Sequence, residues 1–308
     1  MNRVVVTGAA GFVGSALVKE CLKNDVEVFA IDILDNPSSR LDLDNSKLTY
    51  LKADVFNSVQ IRDLLKDKGI DAFYHFAWIG SAGPLREDIE CQINNAKMTV
   101  ELLKVAKEIG CNKFICAGTI MEFESFEAVF SQESKPQMSF IYGIGKQLAH
   151  SLCKPTANRI GIDLIWTHIT NSFGVGESSP RLINSTIRKC INKEPLRFTS
   201  GTQNYDFIYI DDVARAFYLL GNYGKANKSY VIGSGNAGPL RSFLEKLVYT
   251  CDKDAVPLFG DVPFTGVNLD LSIFSTHEIE RDCGFSTSVS FEEGVKKTFE
   301  WLKMEENK

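Results

Sequence analysis

The 308-residue chain has no apolar run approaching the roughly 18 residues that a membrane-crossing helix needs. Its first apolar run, Val4-Val5-Val6, begins where a signal peptide would have to stand, so a cytoplasmic protein is expected. Eight cysteines are scattered without a C-x-x-C pair, and four histidines (75, 150, 168 and 277) show no ligand spacing along the chain. That usage argues against a disulfide framework or a zinc site and predicts reduced thiols and no metal. Nor is there a basic cluster, since 34 Lys and Arg stand against 39 Asp and Glu for a net charge of −5. Nucleic acid is therefore not expected as a partner, and an anionic ligand has to be held by a few local cations and helix ends. Low-complexity segments are missing too, and 44% hydrophobic content supplies a large folded core.

What is present starts with Val4-Val5-Val6-Thr7-Gly8-Ala9-Ala10-Gly11-Phe12-Val13-Gly14. Three consecutive valines read as a strand buried on both faces, and Ser15 to Leu22 has helical apolar spacing. The glycines therefore fall on a strand-to-helix turn, the context in which G-x-x-G-x-x-G becomes a dinucleotide-binding pattern. Gly8 and Gly11 clear the approach of a pyrophosphate, Gly14 lets the helix pack closely, and the helix N-terminus beside Phe12 and Val13 favours the anion. A second strand, Val26 to Ile31, ends in Asp32, eighteen residues beyond Gly14 and just before Ile33. A carboxylate there accepts ribose hydroxyls and repels a 2′-phosphate, so NAD is expected over NADP. Arg40, further down the loop, keeps NADP open.

To about residue 170 the pattern alternates: strand 48–52, helix 58–66, strand 72–76, helix 86–109, strand 113–117, helix 141–153 and strand 163–169. This alternation predicts an α/β fold with a doubly wound parallel sheet, whose ligands bind outside the carboxyl ends of the strands. Asp54, in Ala53-Asp54-Val55, reads as an acceptor for an adenine amino group or equally as a helix N-cap. Phe76, Ala77 and Trp78 follow the fourth strand, where Trp78 either borders the nicotinamide or simply packs. Beyond Asn171 glycines and prolines punctuate short segments, predicting a smaller, discontinuous substrate-side domain over 171–308, with 206–232 rejoining the sheet. Residues 301–308 read as a fraying terminus.

Tyr142 and Lys146 stand four residues apart on a helix, on one face. A neighbouring cation favours a phenolate, which turns a poor base into a useful one. Thr119 closes the fifth strand, where a hydroxyl can hold a substrate oxygen that gains or loses a proton. Four further positions read as structural: Asp211 and Asp212 as N-caps, His150 as a core residue or a support behind the site, and Asn95 as a buried hydrogen-bonding group near the site.

Taken together, TGAAGFVGS (7–15), Asp32, Ala53-Asp54-Val55, YHFAW (74–78), CAGTIMEF (116–123), YGIGK (142–146), ITNSFGVG (169–176) and DFIYIDDVARAF (206–217) resemble the extended short-chain dehydrogenase/reductases of the nucleotide-sugar epimerase/dehydratase family. The resemblance implies a Rossmann-type fold and Thr119, Tyr142 and Lys146 as the catalytic set, with hydride exchanged at sugar C4. It also implies a nucleotide-sugar substrate, Asn171 against its phosphates, Phe198 near its base, and a homodimer formed through the two long helices. Family dehydratases carry Asp-Glu directly after the Thr; here Ile120 and Met121 stand there, and Glu122, on a segment read as strand-like, faces the other way. An NAD-dependent C4 epimerase is therefore expected, with a 4-keto-sugar reductase as the alternative and a non-catalytic dinucleotide-binding sensor as the rival of another class. The diphosphate-gripping arginines usual in the family are replaced by Tyr205 and Leu258, so either Arg181 and Arg197 substitute for them or the substrate is not the usual diphosphate sugar, with Tyr205 open as a stacking platform for a sugar or base.

Overall fold

A computed structural model describes residues 1–306. Seven strands form one sheet: β1 (Arg3–Thr7), β2 (Glu27–Asp32), β3 (Leu48–Lys52), β4 (Ala72–His75), β5 (Lys113–Thr119), β6 (Asp163–Ile169) and β11 (Lys228–Ile232). Their order is β11-β6-β5-β4-β1-β2-β3, and every neighbouring pair is parallel. Successive side chains of a strand point to opposite faces. Val4 and Val6 therefore enter one buried cluster, where helices α1 (Phe12–Lys23) and α7 (Ile210–Tyr223) pack together. Val5 enters the other, beneath α2 (Ser58–Leu65), α3 (Ile89–Glu108) and α5 (Ile141–Ile160).

Several boundaries differ from the sequence expectation. Pro84–Arg86 form a 3₁₀ turn, so α3 starts at Ile89, where Asp88 caps it by accepting the Cys91 N–H at 2.7 Å. Helix α5 continues past Cys153 to Ile160 and stops at Gly161, whose φ of +68° suits a left-handed C-terminal turn. The stretch after Thr119, read as strand-like, is instead the helix α4 (Met121–Phe130). No helix among the described residues is long and apolar enough to cross a membrane.

On the substrate side three short pairs form: β7 (Asn171–Phe173) with β10 (Phe207–Tyr209), β8 (Arg197–Phe198) with β13 (Leu258–Phe259), and β9 (Asn204–Tyr205) with β12 (Gly238–Pro239). The strand within 206–220 thus pairs with β7 outside the main sheet. Within 206–232, it is β11 that rejoins the main sheet, as its edge strand beside β6, after α7 has crossed back over α1.

Helices α6 (Leu182–Ile191), α8 (Leu240–Cys251), α9 (His277–Cys283) and α10 (Phe291–Glu306) complete the chain. The expected fraying end is helical as far as Glu306: Leu302 is fully buried and Arg188 holds Glu306 at 2.8 Å. Residues 307–308 of that expectation lie outside the described residues. Nor do Asp211 and Asp212 cap α7; both lie in its first turn, after Tyr209. The fully buried Asp212 ties α7 to the C-terminal segment by accepting the N–H groups of Ser288 and Val289 at 3.0 and 2.9 Å.

Candidate active site

The carboxyl ends of the strands open into a cavity of about 890 Å³ that runs from the glycine turn to the short pairs beyond β6. At one end Gly8 has φ +66°, and a Cβ there would lie 2.7 Å from the Ala77 backbone N. Gly8 therefore serves the contact between the turn and the end of β4. A Cβ on Gly14 would run into the Gly8 carbonyl oxygen, so this glycine brings α1 onto the turn itself. Phe12 and Val13 open α1 on the cavity wall.

Asp32 spans the turn, accepting the Ala10 N–H at 2.9 Å and the Ile33 N–H at 2.8 Å. Its carboxylate and Ile33 line the cavity, as does Arg40. Val55 and Phe56 do likewise, whereas Asp54 is exposed and accepts the Phe56 N–H at 3.0 Å. Asp54 does not cap α2 either; Asn57 does, through the Gln60 N–H at 3.1 Å.

Midway along the cavity stand Phe76, Ala77, Trp78, Thr119, Tyr142 and Lys146. Lys146 is 4% exposed; its Nζ donates to the Ala117 carbonyl at 2.7 Å and lies 3.7 Å over the Trp78 ring. Trp78 meets Tyr142 edge to face at 6.3 Å, and its indole donates to Gln92 Oε1 at 2.7 Å. Behind them, burial and the Lys146 charge lower His75 to about 3, so its ring stays neutral between Thr7 Oγ1 at 2.8 Å and Thr99 Oγ1 at 3.1 Å. Asn95, fully buried as expected, braces the loop after β4 through both N–H and C=O of Ile79.

On the substrate side Asn171, Arg181 and Tyr205 reach the cavity. Phe198 does not: its buried ring packs against Phe259 at 5.7 Å, so it belongs to the substrate-side core. Arg197 turns to Asp261 at 3.4 Å on the surface, leaving Arg181 as the member of the substitute pair on the cavity wall.

Three residues were not singled out from the sequence. The Arg86 guanidinium lies 4.4 Å from the Tyr142 ring centroid and lines the cavity. Burial lowers it from its ordinary range, Tyr142 opposing and Arg181 adding to the effect. Asn184, 1% exposed on the same wall, keeps its Oδ1 without a protein partner and so presents a spare acceptor. Burial pushes the Glu124 carboxyl up to about 7 against the pull of Arg86. Only the 3₁₀-forming Pro-Leu-Arg beside a strand-end loop offered a local signal for Arg86.

Glu122, His150 and His168, distant along the chain, bring a carboxylate oxygen and two ring nitrogens within 4.8 Å of one another. The fold brings them together although no spacing along the chain does. Both Glu122 oxygens already accept the Trp166 indole N–H, each at 3.1 Å, so hydrogen bonding accounts for the carboxylate.

Residues 4–233 match the family profile described as NAD dependent epimerase/dehydratase family. The chain is 24% identical to the dTDP-4-dehydro-6-deoxyglucose reductase of Escherichia coli over 314 residues, which is 98% of each chain. The dTDP-glucose 4,6-dehydratase of Bacillus anthracis, solved in complex with NAD, superimposes with a TM-score of 0.79 at 18% identity, covering 100% of this chain and 98% of that one. The UDP-glucose 4-epimerase of Thermotoga maritima, solved with UDP-glucose, gives 0.79 at 21% identity over 99% of both chains. Reductase, dehydratase and epimerase thus share this frame, and the frame alone does not select among them.

Proposed function

Because the chain belongs to the NAD-dependent epimerase/dehydratase family of extended short-chain dehydrogenases, we propose that it inverts C4 of a nucleotide-bound hexose through a 4-keto sugar, with Tyr142 as acid and base. The observation that carries this reading is the convergence of Thr119, Tyr142 and Lys146 on one cavity whose Thr119 is followed by Ile120 and Met121, neither of them an acid. Glu122 points away from the cavity, although the reason is the helical turn of α4 and not strand alternation. Elimination of water would need an acid at the leaving hydroxyl.

The residues present suit a dinucleotide. The glycine turn and the N-terminus of α1 would hold its diphosphate, Asp32 its adenosine ribose, and Val55, Phe76 and Ala77 would line the wall. When bound, NAD supplies a hydride acceptor and donor that is restored at the end of each epimerisation. Tyr142 Oη takes the proton of the C4 hydroxyl and later returns it. Thr119 holds the same sugar oxygen, and its Oγ1 already accepts the Met121 N–H at 3.3 Å, which leaves its O–H to donate. Lys146 keeps two N–H donors beyond the Ala117 carbonyl for a cofactor ribose hydroxyl and stabilises negative charge at Tyr142. Arg181 and Asn171 grip the substrate diphosphate, Arg86 adds a second cation beside Tyr142, and Tyr205 stacks on the nucleotide or sugar.

A second reading, reduction of a nucleotide 4-keto-6-deoxy sugar, is favoured by the end-to-end match to the E. coli reductase and by Arg40 on the cavity wall, where a 2′-phosphate would need it. For assembly, the exposed Ile144 and Leu152 on α5, which packs on α3, support a homodimer through these helices. Tyr142→Phe is the test of the assignment: turnover should be abolished while dinucleotide binding stays within about twofold, because only the proton-transferring oxygen is lost. Retained turnover would remove Tyr142 from the mechanism.

A further inference from the structure

We propose that Glu122 is the positioning residue of the Thr119 hydroxyl, holding it through a buried charged knot that also fastens β5 to the helix bearing Tyr142 and Lys146. The proposal rests on the catalytic reading of Thr119 given above. Thr119-Ile120-Met121-Glu122 forms a reciprocal cap at the start of α4. Glu122 Oε1 accepts the Thr119 N–H at 2.9 Å, and Thr119 Oγ1 accepts the Met121 N–H at 3.3 Å. These two bonds set both the backbone and the hydroxyl of Thr119. One lone pair of Oγ1 is committed, which leaves the O–H free to donate to a ligand.

A carboxylate in this position must be held in place, because Glu122 is only 3% exposed. Burial by itself would raise its carboxyl, but His150, His168 and the Thr119 N–H together bring it down to about 2, so it remains charged. His150 Nδ1 lies 3.5 Å and His168 Nε2 3.4 Å from Oε2. Each ring is itself fixed. His150 stacks on Trp166 at 4.6 Å with its Nε2 3.5 Å from Ser229 Oγ, and His168 packs against Phe123 at 4.7 Å. The space for the carboxylate exists because Gly118 has no side chain; a Cβ there would meet Glu122 Oε1, Trp166 Nε1 and the Thr167 carbonyl.

Besides α4, which carries Glu122, the knot draws on three elements. β5 contributes Thr119, β6 contributes Trp166 and His168, and α5 contributes His150 two turns beyond Tyr142. A shift of the knot would change the separation of the Thr119 hydroxyl from Tyr142, and a displacement of about 1 Å in such a pair costs on the order of 100-fold in rate.

The test is a double-mutant cycle combining Glu122→Ala with Thr119→Val, assayed on a nucleotide sugar that the wild type turns over, with Glu122→Gln as the conservative variant. We expect Glu122→Ala to lower kcat by about 10- to 100-fold with little change in KM or dinucleotide affinity. The double variant should be no slower than Thr119→Val alone, and Glu122→Gln, which keeps an acceptor for the Thr119 N–H, should recover most of the rate. Losses that multiply, or a Gln variant as slow as the Ala variant, would overturn the proposal. Hydrogen exchange provides a readout without substrate: the Thr119 amide should be protected in the wild type and in Glu122→Gln, and exposed in Glu122→Ala. Unchanged exchange in Glu122→Ala, or stoichiometric zinc on the purified wild type, would also overturn it. A wild type that turns over no nucleotide sugar would instead count against the functional reading, with amide exchange still deciding the knot.

Discussion

The two ends of the cavity are built differently. At the glycine end the wall is mostly backbone: a turn with φ +66° at Gly8, the start of α1, and an Asp32 carboxylate anchored to two main-chain N–H groups. Beyond Tyr142 and the neighbouring Arg86 the wall is side chains, Arg181, Asn184 and Tyr205, brought in by a helix start and a two-residue strand. A site made of backbone constrains its sequence tightly, because few residues fit a given φ or a close approach. A site made of side chains is free to exchange one cation for another in a different place. Relatives named for three different reactions share the frame.

Variants at the two ends should therefore fail in different ways. The largest effect is expected for Phe198→Ala, which should cost about 3–5 kcal/mol of stability by emptying the substrate-side core. Chemical denaturation of the ligand-free protein would show it, whereas a loss of sugar affinity at unchanged stability would return Phe198 to the site. Gly8→Ala should come next, at about 1–3 kcal/mol for overpacking against Ala77, together with weakened dinucleotide binding by calorimetry.

At the other end, Arg181→Ala should leave dinucleotide affinity alone and raise the KM for the nucleotide sugar by roughly 10- to 100-fold, the worth of one charge-assisted hydrogen bond. His75 makes a pH prediction. Its ring is held neutral down to about 3, whereas the unfolded chain takes up a proton below the ordinary histidine value of 6.5. The unfolded state binds the extra proton between those values, so stability falls as pH falls through that window, by about 1.4 kcal/mol per pH unit. His75→Asn should flatten the slope by about one proton in denaturation series from pH 6 to pH 4; an unchanged slope would mean that His75 does not carry the effect. The smallest change belongs to Arg197→Ala, whose surface pair with Asp261 should be worth about 0–1 kcal/mol and nothing in KM.

What was legible in the sequence follows the same division. The parallel sheet, the glycine turn, Asp32, and the meeting of Thr119, Tyr142 and Lys146 follow from local patterns in which strand ends face one side. Helix α4 was legible in principle, since Thr119-x-x-Glu122 is a helix-start pattern, but the apolar Ile120-Met121 favoured a strand reading. The Glu122, His150 and His168 cluster was not, because its members come from three elements with no common spacing. Nor was Phe198's place, since a buried aromatic on a two-residue strand carries no sign of which way it faces. The return to the main sheet was expected within 206–232, but that β11 and not the strand at 207–209 makes it depends on the path of α7 over α1.

On the proposed function the cofactor stays bound while the C4 centre inverts. The most direct measurement is native mass spectrometry of the purified protein for a retained dinucleotide, followed by NMR of UDP- and dTDP-hexoses incubated with it and no added cofactor. An epimerase should show bound NAD and interconversion of C4 epimers without accumulation of reduced cofactor. An empty site, no epimerisation, and stoichiometric consumption of NADPH with a 4-keto sugar would contradict it and make the protein a reductase.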